Sequence, residues 1–161
     1  MANIAQSVNV ISPLLTTATG VVRQTTWWPL LLFSRYMRGW TLGVHVRCGS
    51  YAGPTKPAWL RDTLEDGAPW LDVSASVDEA GLVSLVVVNI HDEHDCATIV
   101  KGADAALEKK VQVFCVTAST VQATNTAEKQ EVSIQESTWD GQGTFVFPKH
   151  SMTMLRWKAV V

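Results

Sequence analysis

The hydrophobic period of this chain switches near Gly39, and that switch limits the folds open to it. Before it, Ile4, Val8 and Ile11 recur at i, i+4 and i+7 with Ala5 beside them, one apolar helical stripe within residues 2–12. Pro13 supplies a stop, and Thr16 to Gly20 reads as a polar loop. Val21 to Trp28 has the β-branched and aromatic character of a strand ending at Pro29, and Leu30 to Met37 reads as a further helix. Strand followed by helix is the repeating unit of α/β layers and barrels. After Gly39 the apolar runs shorten and alternate, which is the period of half-buried strands.

Trp40 to Cys48 alternates loosely, and Ser50 to Pro69 is a long connection holding Gly53, Pro54, Pro57 and Gly67. Trp70 to Val77 alternates cleanly, with Leu71, Val73, Ala75 and Val77 on one face. Asp78 to Gly81 is a turn leading into Leu82 to Ile90, whose near-continuous apolar run predicts burial on both faces. His91 to Asp95 is polar enough for a hairpin loop, after which Ala97 to Val100 is expected to return antiparallel. Further strands are expected at Lys110 to Thr117, Glu131 to Gln135, Thr144 to Phe147 and Ser151 to Ala159, with a turn at Asp140 to Gly143. The expected fold is mainly β: an antiparallel, jelly-roll-like β-sandwich over residues 40–161, preceded by a short α/β segment over residues 1–39.

Composition narrows the functional classes. The chain has 161 residues, enough for one buried domain and too few for a (β/α)8 barrel of about 250. A 47% apolar share is that of a folded protein. The net charge of −2, without a run of Lys or Arg, leaves no electrostatic footprint for nucleic acid or a membrane surface. The apolar run from Trp27 to Phe33 is far short of the about 20 residues of a membrane span. No basic residue precedes Arg23, so no signal peptide is read and localisation is left open. Cys48, Cys96 and Cys115 lack CxxC spacing and read as buried thiols rather than a zinc site, with one disulfide plus a free thiol left open.

Two motifs near the start, ANIAQSVNVISPL within Ala2 to Leu15 and RQTTWWPLLLFSRYMRG from Arg23 to Gly39, resemble the end of the catalytic barrel in fungal-type α-L-arabinofuranosidases of glycoside hydrolase family 51. The resemblance continues through PWLDVSASVDEAG (Pro69 to Gly81), VVVNIH (Val86 to His91), ATNT (Ala123 to Thr126) and FPKHSMTMLRWK (Phe147 to Lys158). It implies barrel elements over 1–39 and the companion β-sandwich over 40–161. It further implies release of arabinofuranosyl groups from arabinan or arabinoxylan by a retaining mechanism that needs no cofactor. Retention requires two carboxyl groups about 5–5.5 Å apart. The resemblance places both in sequence preceding Met1, so no catalytic residue is expected within this chain. Ile4, Val8, Ile11 and the Trp27 to Phe33 run would then face a barrel wall outside the chain. Two outcomes are open for this segment, folding back on the sandwich or a patch that drives self-association; residues 2–12 are expected to pack only loosely, with Trp27 to Gly39 held more firmly against the sandwich.

By the same resemblance Gln24 is a substrate-binding residue of the intact barrel, its amide hydrogen-bonding the arabinosyl unit. Among seven tryptophans, Trp70 and Trp157 fall in expected strands and read as core, and Trp27 and Trp28 read as interdomain packing. Trp59 and Trp139 fall in expected loops, where a ring face is free to stack on sugar. The HxxH of His91 to His94 reads as a solvated loop and not a metal site. Asp62, Glu65 and Asp66 lie in a connection without rigid positioning, and the adjacent His150 and Ser151 lack a third group to orient them. A stand-alone carbohydrate-binding module and a purely structural piece are the alternative functions.

Overall fold

The computed structural model describes residues 6–51, 67–102, 107 and 110–159. In chain order the elements are β1 (Leu14–Thr16), β2 (Val21–Arg23), α1 (Trp27–Tyr36), β3 (Trp40–Leu42), β4 (Ser50–Tyr51), β5 (Ala68–Pro69) and β6 (Leu71–Val77). They continue with β7 (Leu82–Asn89), β8 (Cys96–Ile99), β9 (Val111–Thr117), β10 (Ser133–Trp139), β11 (Thr144–Phe147) and β12 (Ser151–Lys158). Six strands form the main antiparallel sheet in the order β10-β9-β12-β7-β6-β3, while β8 and β11 pair as a separate ladder.

Alternation along the central strands sorts side chains onto two faces, and both faces are dry. Val86, Phe114, Val116, Met152 and Met154 lie on one side with Trp28 and Leu32 of α1. Leu71, Val87, Val111, Val113 and Leu155 lie on the other, under Phe147 of β11 and the partly buried Val46, Cys96 and Val100. This double cover explains the continuous apolar run of β7, where alternate residues serve opposite cores. The result is an uneven sandwich whose second layer is a two-stranded ladder. Cys48, Cys96 and Cys115 are free thiols, and burial pushes the Cys115 thiol up, away from thiolate chemistry.

The β6–β7 hairpin shows how sequence sets register. Asp78 Oδ1 accepts from the Ala80 and Leu82 N–H groups, and Gly81 adopts φ +75°, a left-handed conformation open to glycine at low cost. Val77 then lies opposite Val83 and Leu71 opposite Asn89.

Several expectations are corrected. Residues 6–13 are not helical, and Ile4 lies outside the described residues. Asn9 and Val10 have φ of 62° and 59°, and Asn9 Oδ1 accepts from the N–H and hydroxyl of Thr16, so side-chain bonds outcompete a helical ladder there. The strand expected to run to Trp28 stops at Arg23, and the helix already includes Trp27, Trp28 and Pro29. Proline is tolerated in a first turn because those N–H positions have no intrahelical acceptor. β8 does not return beside β7 as a hairpin. β12 occupies that edge in full register, so β8 crosses to the second layer and pairs with β11. The strand expected at Glu131 to Gln135 runs from Ser133 to Trp139, its polar outer face fitting an edge of the sheet.

Candidate functional site

Gln24 sits between β2 and α1, where the backbone of Ser12 and Pro13 and that of Trp27 converge on it. Its N–H donates to Pro13 O at 2.9 Å, and its own carbonyl accepts from Trp27 N–H at 3.0 Å at the head of α1. The side-chain Nε2 donates to Ser12 O at 2.8 Å. Among the described residues its Oε1 accepts no hydrogen bond. The residue is half-buried, so one acceptor lone-pair face is available to a hydroxyl donor.

The neighbouring strand is anchored from far along the chain. Asn125 is buried to 7% exposure and its Nδ2 donates to Arg23 O and Val132 O, both at 2.8 Å. Its Oδ1 accepts from Glu131 N–H at 2.9 Å and Val132 N–H at 2.8 Å. A buried amide with every pole satisfied is rigid, since breaking any one bond strands a polar group away from water. Around it, Thr126 Oγ1 accepts from the N–H groups of Glu128 and Lys129, and Thr124 N–H donates to Glu131. Lys129 pairs with Glu131, and that hydrogen bond is the first cause holding the Glu131 carboxyl below the usual range. Between this turn and the β1–β2 hairpin lies a polar groove of about 420 Å³, walled by Thr17, Thr19, Arg23, Glu128 and Gln130.

α1 is fastened at its far end by a second cluster. Tyr36 stacks on Phe114 with ring centroids 5.2 Å apart, and the Arg156 guanidinium lies 4.6 Å from the Tyr36 ring centroid. Arg156 Nη2 donates to Asp78 Oδ2 at 3.0 Å, and Ser84 Oγ donates to Tyr36 O at 3.1 Å. Asp78 is held below the usual carboxylate range, first by the Leu82 N–H it accepts, with Ala80 N–H and Arg156 adding to the effect.

The other candidates are dispersed. Trp139 is not in a loop: it ends β10 opposite Val111, its indole N–H donates to Gln142 O, and its ring packs edge-on against Phe145 at 5.3 Å. Trp59 lies outside the described residues, as do Asp62, Glu65 and Asp66. Trp70 is covered by the His91 ring at 4.1 Å and by Gly49, where a Cβ would stand 3.2 Å from the indole. His91 Nδ1 accepts from the N–H groups of Glu93 and His94, so it has no proton to offer Asp92, and the loop is folded by its own backbone. Among the described residues no three His, Cys, Asp or Glu side chains converge for a metal. Ser151 Oγ turns to Pro148 O and His150 Nε2 to Ala118 O, so the adjacent pair makes no bond with each other.

Asn125 is the residue that the sequence pattern missed. It stands inside ATNT, but nothing in that run announces a partner 102 positions away.

Residues 1–151 match the family described as alpha-L-arabinofuranosidase C-terminal domain. The probable alpha-L-arabinofuranosidase C of Aspergillus terreus is 57% identical over 159 residues, which is 99% of this chain and 30% of that protein. The chain thus spans about a third of the length of such relatives. Among solved structures, the alpha-L-arabinofuranosidase of Thermotoga maritima, in an arabinose complex, superposes with a TM-score of 0.81 at 23% identity. That match covers 96% of this chain and 33% of the other. The thermostable GH51 alpha-L-arabinofuranosidase of Thermotoga petrophila gives 0.81 at 22% identity, with the same coverage. At such identities the structural likeness establishes the fold alone.

Proposed function

This chain belongs to the alpha-L-arabinofuranosidase C-terminal domain family, and on that footing we propose that it works as the C-terminal region of a longer arabinofuranosidase. In this reading residues 1–39 close the catalytic barrel and residues 40–161 form the sandwich that supports it. The substrate is an arabinose-containing glycan such as arabinan or arabinoxylan. One carboxylate attacks the anomeric carbon while a second protonates the departing oxygen, and water then releases arabinose with retention. Both carboxylates come from barrel sequence outside this chain. Gln24 contributes its amide to a hydroxyl of the bound arabinosyl unit, a contact that orients the sugar without exchanging a proton.

The observation that carries this reading is the 57% identity over nearly the whole chain to one stretch of a much longer relative. The site chemistry is compatible with it. The carboxyls of Asp78 and Glu131 are each committed to turn N–H groups and a cation, which suits structural work.

The test compares the purified chain with a full-length enzyme on an aryl α-L-arabinofuranoside. Turnover is expected from the full-length enzyme only. Hydrolysis by the 161-residue chain, surviving purification to homogeneity, would overturn the assignment of both carboxylates to the barrel.

A further inference from the structure

We propose that Asn125 is a positioning residue for Gln24, fixing the peptide from which the glutamine projects and so setting where its amide meets the arabinosyl group. The inference rests on the role just given to Gln24. Three of the four Asn125 bonds stay within the loop it begins, to Glu131 N–H, Val132 N–H and Val132 O. Those three suffice to shape the loop. The fourth leaves it and takes the Arg23 carbonyl at 2.8 Å.

That carbonyl belongs to the Arg23–Gln24 peptide, whose N–H is the one donated to Pro13 O. Carbonyl and N–H of a trans peptide point to opposite sides of a rigid plane. Bonding both poles therefore stops the plane from turning about its flanking dihedrals. One pole is held by Pro13, near the start of the chain, and the other by Asn125 of the sheet-borne loop. The loop can bear that task because it is itself braced, by the Asn125–Gln130 bridge and the Thr126 hydroxyl. A small shift of a substrate-orienting group weakens a site severely, up to about a hundredfold for 1 Å.

The test uses a full-length enzyme carrying this sequence, assayed with an aryl α-L-arabinofuranoside. Taken as a contact made equally to the bound sugar and to the transition state, Gln24 when displaced should raise KM with kcat kept. Loss of folded protein does the reverse, lowering apparent kcat and leaving KM alone. Asn125→Asp keeps an acceptor for the Glu131 and Val132 N–H groups but turns an oxygen toward the Arg23 carbonyl. Asn125→Ser removes the reach without adding charge. Both should raise KM about tenfold. Neither should raise it further in a Gln24→Ala background. Phe145→Leu loosens the second layer of the sandwich without touching the Asn125 loop or Arg23 and should leave KM within about twofold. If Gln24→Ala raises KM while both Asn125 variants leave it unchanged, whether or not kcat falls, the positioning role is overturned. If Gln24→Ala itself leaves KM unchanged, the role given to Gln24 fails first.

Discussion

The two apolar stretches that flank the β1–β2 hairpin have opposite environments. In α1, Trp28 is exposed by 9% and Leu32 by 1%, and both join the core of the main sheet. In the arm before the hairpin, Val10 is exposed by 76% and Ile11 by 78%. The residues are comparably hydrophobic, so the difference is one of partners. α1 finds a sheet face whose strands come from the far end of the chain. It is then clasped at its C-terminus by the Tyr36–Phe114 stack and the Tyr36–Arg156–Asp78 cluster. Among the described residues the arm is tied by polar bonds, from Asn9 and Ser12 and from the Gln24 amide to Ser12 O. Apolar pattern is a demand for burial, and only a complementary face in reach converts it into stability.

Substitutions on the two sides should separate this view from one in which both stretches stabilise equally. Leu32→Ala removes a fully buried side chain under the sheet and should cost about 2–5 kcal/mol in urea unfolding. A loss under about 1 kcal/mol would show that α1 is only loosely applied.

The clasp gives a pH-dependent effect of intermediate size. Asp78 has its folded pKa lowered, so its stabilisation is fully present above the unfolded value of about 4 and is lost as pH falls through the folded value. Wild type should therefore exceed Asp78→Asn in stability at pH 6, with the gap closing as pH drops below about 4. Parallel curves across that window would remove Asp78 from the clasp.

On the arm, Ile11→Ser should change the unfolding free energy of the chain by no more than about 0.5 kcal/mol. If the exposed apolar patch is a self-association contact, Ile11→Ser should also lower concentration-dependent association in sedimentation. A large stability loss would mean that Ile11 is buried in the folded chain after all.

Much of this fold was legible one residue at a time. The Asp78 to Gly81 turn, the alternation of Leu71 to Val77 and the apolar run of β7 are local statements, and each sets its element from within. The Thr144 to Phe147 strand likewise coincides with its apolar and aromatic run. Where sequence reading failed, a local preference met a stronger competitor, local in one case and tertiary in the other. Ile4, Val8 and Ile11 carry a helical period, but Asn9, Ser12 and Pro13 favour a reversal of the chain, and side-chain hydrogen bonds decided the outcome. Trp27 and Trp28 suit a strand by propensity, yet the face of the sheet that covers Leu32 draws them into the first turn of α1.

By itself the amino-acid sequence determined the strand period after Gly39, the tight β6–β7 turn, the family resemblance and the presence of a glutamine at the end of β2. Each depends on neighbours a few positions away, where dihedral preference and side-chain spacing suffice. Only the tertiary structure decided that β8 leaves the main sheet to pair with β11 and that Asn125 holds the carbonyl beside Gln24. Those contacts join residues far apart in the chain. A hydrogen bond across 102 positions leaves no periodic trace, because its geometry exists only after the sheet has brought both ends together.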